Sequence, residues 1–457
     1  MNHSPACLLP HPAMAADLNI ISASEHPITP EMIDDEALFV LRKLNQAGFS
    51  SYLVGGGVRD LYLGKKPKDF DIGTDARPGQ IRQLFANSRT IGRRFRLVQV
   101  FFKNRKVIEV STLRSLSEHD LDGPEAVLAP NNTYGTVGED AQRRDISINA
   151  LFYEIENHTI IDHVGGVEDL DRCIIRIIGD PDKRITHDPV RMMRVIRHSA
   201  RNNFMIEEAS WTAVCRNAHT LTLCPSSRLR DELLKDLYSG VSADWFELSV
   251  KSSIFGELFD CYKGRLNDSA GDRTTCLEQL KRIFATIDNY NNRAVEAGSH
   301  RQPDYFVLAL ILIPWAILHF DLDKRVLKGP QLYQMAKQIR EELNRSIGQD
   351  LNLRKSTRQE ITTLLAHLPI LIHHRHQDTW PKWLKKKSYF SKCRLFYYFY
   401  CEAFQLGEIP PDYLSSQHAT EPPPRGKSRR RRSSGSKQKG RPAFASSHQG
   451  GIFGFKR

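Results

Sequence analysis

The stretch Leu53-Val54-Gly55-Gly56-Gly57-Val58-Arg59-Asp60, resumed at Gly64-Lys65-Lys66-Pro67-Lys68-Asp69-Phe70-Asp71-Ile72, decides how the N-terminal part of the chain folds. Residues 52–54 form a short apolar run that reads as a strand, and residues 58–63 read as a helix closed by Gly64. Glycines between a strand and a helix let the backbone approach a ligand, and the N–H groups of the helix start favour an anion such as phosphate. A plain tight turn needs the same glycines, and the spacing is not the GxGxxG of dinucleotide sites. Residues 69–74 read as a second strand. Alternation along it sends Phe70 and Ile72 into the core and sets Asp69 and Asp71 on the opposite face. Two carboxylates so close repel unless a cation neutralises them, and hard oxygen ligands select Mg²⁺, which in turn binds substrate phosphates. An exposed acidic strand end is the plainer alternative.

Outward from this stretch, a helix capped by Asp34 or Asp35 runs to Gly48, with Leu38, Leu41 and Leu44 on one face. Residues 78–86 read as a helix with Pro78 at its first position. Residues 97–102 and 106–112 read as strands joined by the hairpin Lys103-Asn104-Arg105. Glu109 stands among β-branched residues there, an expensive place for a lone charge. It either faces outward on an edge strand or, if its strand lies beside that of Asp69, adds a third carboxylate. Three carboxylates so placed could hold two metal ions for phosphoryl transfer. The mixture predicts a small α/β or α+β head up to about residue 178. From about residue 185 strand signals fade. Asp188-Pro189 opens a helix to about Asn202, residues 229–237 form another, and the chain to about 410 is helical in pattern, with connectors at 263–272 and 374–381. No internal repeat is evident.

The chain has 457 residues, 40% hydrophobic and 26% charged, which excludes a wholly disordered protein. Its net charge is +12, yet Pro422 to Arg457 holds eleven Lys and Arg and no acid, leaving about +1 for everything before it. Such a tail points to a polyanion, nucleic acid rather than membrane. The apolar run 305–320 has 16 residues, interrupted by Pro314, where a membrane span needs about 20. It reads as buried helix. The eight cysteines form no CxxC pair, which disfavours zinc and a disulfide framework and fits a reducing, cytoplasmic setting. The first basic residue is Arg42, so no targeting pattern is expected.

Residues 53–75 resemble the head motif of class II nucleotidyltransferases, the family of tRNA CCA-adding enzymes and bacterial poly(A) polymerases. Further matches follow in order: Glu109-Val110-Ser111-Thr112-Leu113-Arg114; residues 142–151, similar to the family's RRDFTINAL helix; Ile178-Gly179-Asp180-Pro181; residues 187–194; and residues 225–233. The resemblance implies a polymerase-β-like nucleotidyltransferase head with a small mixed sheet at 29–178, after a flexible leader at 1–28. An all-α neck at 179–240, a helical RNA-binding body at 241–415 and a disordered basic tail at 416–457 would follow. It implies that Asp69 and Asp71 are metal ligands, that Glu109 completes the catalytic carboxylates, and that Gly55, Gly56 and Arg59 face the triphosphate. Arg143, Arg144, Asp145 and Asn149 would position ribose and phosphates, with Asp145 and Asn149 on one helix face. Asp188 and Arg191, i and i+3, would hydrogen-bond the incoming base, and Arg194 would join the nucleotide site. The family's Glu is His187 here, its Phe and Thr are Ile146 and Ser147, and Arg197-His198-Ser199 departs from its Arg-Phe-Ala.

Residues 91–100, with Gly92-Arg93-Arg94-Phe95-Arg96-Leu97, resemble a segment of bacterial poly(A) polymerases, and basic tails recur in that group. The expectation is therefore a template-independent poly(A) polymerase that uses ATP and two Mg²⁺ ions on RNA 3′ ends of mRNA, tRNA and small RNAs. Arg93, Arg94 and Arg429, Arg430, Arg431 and Arg432 would contact RNA, and proteins of RNA decay would be further partners. A CCA-adding enzyme is the alternative. A catalytically inactive RNA-binding protein fits less well, because it has no need of a metal-holding carboxylate cluster.

Overall fold

A computed structural model describes residues 18–92, 96–115, 133–267, 271–322, 328–374 and 380–410. Arg93, Arg94 and Arg429 to Arg432 lie outside the described residues.

The first part runs β1 (Asn19–Ile21), α1 (Asp35–Gln46), β2 (Ser51–Val54), α2 (Gly56–Tyr62), β3 (Asp71–Thr74), α3 (Pro78–Leu84), β4 (Ser88–Ile91), β5 (Leu97–Phe101) and β6 (Val107–Thr112). It continues through α4 (Val137–Arg143), a 3-10 turn (Ser147–Asn149), β7 (Leu151–Glu154), β8 (Thr159–Asp162), α5 (Gly166–Asp171) and β9 (Ile174–Ile175). Eight strands form one mixed sheet in the order β1-β8-β7-β2-β3-β6-β5-β4. Of its neighbours only β3 and β6 are parallel. The rows of this sheet explain its two faces. Leu53, Ile72, Val110 and Val98 lie side by side, fully buried against α1. The next row, of opposite facing, carries Val54, Asp71, Glu109 and Gln99. The hydrophobic pattern thus sets the register, and the register sets the carboxylates on the face away from α1.

Helices follow: α6 (Pro181–His187), α7 (Arg191–Asn202), then β10 (Met205–Ile206), α8 (Glu208–Asn217), α9 (Ser226–Leu237), α10 (Ser242–Lys251), α11 (Ile254–Leu258) and α12 (Asp260–Asn267). They continue as α13 (Gly271–Glu296), α14 (Asp304–Ile311), α15 (Ile313–Phe320), α16 (Pro330–Arg345), α17 (Ile347–Asp350), α18 (Lys355–His373), α19 (Lys382–Lys385) and α20 (Phe390–Ala403). A mixed-sheet head followed by a helical region is the α+β fold the sequence predicts. One apolar core runs from the sheet into these helices, and a smaller cluster of Val54, Leu113, Ala141 and Phe152 lies under the other sheet face.

Several local expectations are corrected. The leader expected through residue 28 is ordered from at least Asn19: β1 pairs with β8, and buried His26 contacts the His158 carbonyl at 2.8 Å. The helix expected from Asp188 to about Asn202 starts only at Arg191, and a separate helix, α6, ends just before Asp188. Asp188 precedes a proline, which disfavours helical dihedrals, and it sits at φ −137°, ψ 85° between α6 and α7. The apolar run 305–320 breaks in two, ahead of Pro314. Part of the expected connector at 263–272 is helix α12. No helix among the described residues is long and apolar enough to cross a membrane.

Candidate active site

Strand β2 leaves the core at Val54, and Gly55 turns the chain into α2 with φ +71°, a conformation that favours glycine. A Cβ at Gly55 would lie 3.0 Å from Arg144 Nη1. Glycine is needed here for the turn and for the closeness of that guanidinium. Beneath this elbow Arg59 is buried. Its Nε and Nη2 donate to Asp60 Oδ1 at 2.9 and 2.7 Å, and its Nη1 donates to Asn149 Oδ1 at 2.5 Å. His198 Nδ1 lies 3.3 Å from the same Nη1. Arg59 therefore supports the elbow from below instead of standing open in the cleft. Burial, and then the Arg59 charge, hold His198 well below its ordinary pKa, so the ring is neutral.

The carboxylates gather on β3 and β6. Asp71 and Glu109 are register partners on these parallel neighbours. Asp69 precedes the strand, so strict alternation does not place it, but its charge still reaches Asp71. Asp71 is open to water yet flanked by protein, and its carboxyl is pushed up to about 6 by partial desolvation, then by Glu109 and Asp69, with Arg144 opposing. Gln99 Nε2 donates to Glu109 Oε1 at 3.0 Å. No group of three or more His, Cys, Asp or Glu among the described residues is arranged to hold a metal ion. Asp71 and Glu109 are thus register neighbours, Asp69 lies just before β3, and the three do not form a preformed cage.

The helix expected over residues 142–151 stops at Arg143. Ile146 is extended and bridges to Ile177, and Asp145 Oδ1 accepts from the Ile146 N–H. Asp145 and Asn149 therefore do not share a helix face. Arg143 and Arg144 both grip buried Asp140, with Nε contacts of 2.8 and 3.1 Å. Burial alone would raise the Asp140 carboxyl, but Arg144 and Arg143 bring it below its usual range. Arg144 Nη1 also donates to the Asn149 carbonyl at 2.9 Å. Asp145 meets Arg194 at 2.9 Å, and Arg194 reaches Glu232 on α9 at 3.3 Å. Burial opposes ionisation of Asp145, but Arg194 and Arg191 overcome it and hold the carboxyl well below the usual range.

At the start of α7, Asp188 Oδ2 accepts from Arg228 Nη2 at 2.7 Å and lies 3.9 Å from Arg191 Nε. Arg191 Nη1 donates to the Arg144 carbonyl at 3.3 Å. Asp188 Oδ1 and Arg191 Nε are buried without a hydrogen-bond partner in the described structure. Buried polar atoms are rarely left this way unless something else binds them. Sequence reading missed Asp140 and Arg228. Asp140 was discoverable, since it stands three and four residues before the arginines on one helix face. Arg228 is 40 residues from Asp188; it lies in the matched segment 225–233, but no spacing there points to Asp188.

Residues 51–176 match the family model of the poly(A) polymerase head domain, and residues 203–263 match one described as a probable RNA and SrmB-binding site of polymerase A. Poly(A) polymerase I of Salmonella typhi is 42% identical over 304 residues, 65% of this chain and 64% of its own length. The chain thus spans just under two thirds of that relative. A CCA-adding enzyme of Lactobacillus helveticus is 39% identical over 201 residues, 44% of this chain and 49% of its own. The crystal structure of the Bacillus stearothermophilus CCA-adding enzyme in complex with CTP superposes with a TM-score of 0.59 at 23% identity, covering 85% of this chain and 81% of that one. The matched head model spans the elbow, both aspartates and Glu109, and both kinds of relative align with this sequence, so in its head and in the segment that follows the chain is similar to the class II nucleotidyltransferase family.

Proposed function

We propose that this protein is a template-independent poly(A) polymerase. It transfers AMP from ATP to an RNA 3′-hydroxyl and releases pyrophosphate. The observation that carries the reading is the pairing of Asp71 with Glu109 on adjacent strands beside the glycine elbow and Arg144. Asp69 and Asp71 would hold Mg²⁺, as two ions. The donor set fits, because Asp71 carries like-charge repulsion that a hard cation relieves, and Mg²⁺ commonly takes one or two carboxylates and completes its shell with substrate phosphates. When bound, it stabilises charge on the attacking and leaving oxygens.

The chain's own residues supply the rest. The elbow N–H groups and Arg144 receive the triphosphate, where a guanidinium offsets charge gathering on the transferred group. Asp188 Oδ1 and Arg191 Nε offer one acceptor and one donor to the edge of the incoming base. Polymerase is favoured over CCA addition by residues 91–100, by the eleven basic residues from Pro422 onward, and by the identity to poly(A) polymerase I. Sequence-independent phosphate binding suits an enzyme that meets many RNA 3′ ends. CCA addition remains the second reading, favoured by the structural neighbours. The test offers purified protein each nucleoside triphosphate with a generic RNA and with a tRNA lacking its CCA end. Long A-tails on both RNAs are expected. Addition that stops after CCA selects the second reading, and no incorporation of any nucleotide leaves an RNA-binding protein.

A further inference from the structure

Arg184 lies on α6, whose start is fixed by Pro181 and by Asp180, the side chain of which accepts from the Lys183 N–H at 3.2 Å. Its guanidinium crosses to the sheet region. Nη2 donates to the carbonyl of Arg143 at 2.7 Å and to the carbonyl of Arg144. These carbonyls end α4, where a helix has no further N–H groups of its own and where a cation also meets the negative end of the helix dipole. Arg191 on α7 donates to the second of them.

The turn held in this way is the one from which the cleft arginines depart. Arg144 leaves it toward Gly55 and Asn149, and its charge acts on Asp71. Arg143 leaves it toward Asp140, and Asp145 leaves it toward Arg194. Ile146 just beyond is already extended, so the backbone here has no helical continuation to hold it. Two carbonyls fixed by one planar guanidinium determine both the place and the tilt of the turn, which a single contact cannot do.

We propose that Arg184 is a positioning residue for nucleotide binding: through the two backbone carbonyls it holds, it sets the Arg143–Arg144 turn against the glycine elbow so that Arg144 meets the triphosphate. The proposal rests on the reading of the cleft as a nucleoside triphosphate site. Without Arg184 the turn keeps its Asp140 and Arg191 contacts, so the fold survives while Arg144 samples a wider range of positions.

The test compares the full chain with Arg184→Met, which keeps the apolar stem, and Arg184→Lys, which keeps a charged donor. Three quantities are read: ATP affinity by calorimetry in magnesium buffer, KM and kcat for AMP incorporation on a generic RNA, and the thermal midpoint. Arg184→Met is expected to weaken ATP binding and raise KM about tenfold, the usual worth of a charge-assisted hydrogen bond, with kcat changed far less. Arg184→Lys should recover much of the affinity. Wild-type affinity and KM in Arg184→Met would overturn the proposal. So would a lowered thermal midpoint with unchanged ATP affinity, or equal defects in Met and Lys variants. A wild-type chain that neither binds ATP nor incorporates any nucleotide would instead sink the polymerase reading itself.

Discussion

The seam where α7 and α9 meet each other and the sheet carries buried charge within the apolar core, whereas the helical body beyond it is built of rings. At the seam Arg197 pairs with Glu232 at 2.6 Å and with Asp236 at 2.7 Å, all three side chains buried. In the body Phe246 stacks on Phe284 at 4.8 Å and meets Phe255 edge-on at 4.9 Å, and Phe255 stacks on Phe259 at 4.8 Å. Buried ion pairs lose much of their attraction to desolvation and are weak evidence for stability. Buried aromatic rings have no such penalty and add large apolar area. The difference teaches a division of labour. The body holds the molecule together, and the seam spends stability on direction, because a charge paired in one geometry orients the groups around the proposed nucleotide site.

The strongest way to break this comparison is Asp71→Asn. Turnover should fall by orders of magnitude, roughly the several kcal/mol expected of lost metal stabilisation. The thermal midpoint should hold or rise, since a carboxylate repelled by Glu109 and Asp69 has been removed. Near-normal turnover would remove Asp71 from the chemistry. The converse experiment is Phe255→Ala, which should lower stability by about 3–5 kcal/mol in a denaturant titration. The KM for ATP of the folded protein should stay within about twofold. A large KM change would show that body packing, too, sets the site.

Arg191→Ala sharpens the comparison at the seam. One lost hydrogen-bonding partner is worth about 1–3 kcal/mol, so preference for ATP over CTP should fall roughly tenfold with little loss of stability. Unchanged preference in both Arg191→Ala and Asp188→Ala would move base selection elsewhere. A pH profile comes next. The Asp71 carboxyl, raised to about 6, must be ionised to hold a cation, so activity should rise with pH up to about 6 and then level off. Its effect on stability has the opposite sign. The folded state binds this proton more tightly than the unfolded state, so the contribution is present at low pH and is lost as pH rises from about 4 to about 6. An acid limb that does not move toward lower pH when magnesium is raised would assign it to another group. The smallest effect is expected from truncation after Thr420. Affinity for single-stranded RNA should fall most at low salt, and the salt slope should become shallower by about 0.7 per lost phosphate contact. Superimposable salt titrations would exclude the tail from RNA binding.

What the amino-acid sequence determined by itself was local. The glycine elbow, the β5–β6 hairpin and the alternation that buries Ile72 and Val110 follow from dihedral preference and the two-residue period of a strand. Those features locate Asp71 and Glu109, and the resemblance carried by their order implies the chemistry. Tertiary structure alone decided the rest. That β3 and β6 are adjacent, and parallel, made Glu109 the partner of Asp71. The break after Arg143, where helical spacing had suggested continuity, reflects an extended Ile146 bridged to Ile177 and carbonyls taken by Arg184. Arg59 ended under the elbow because Asn149 and His198, 90 and 139 residues away, reach its guanidinium. A hydrogen bond has a range of about 3 Å and no memory of chain separation, so periodicity within one element cannot report it. Only the packing of α6, α7 and α9 onto the sheet brings those donors and acceptors together.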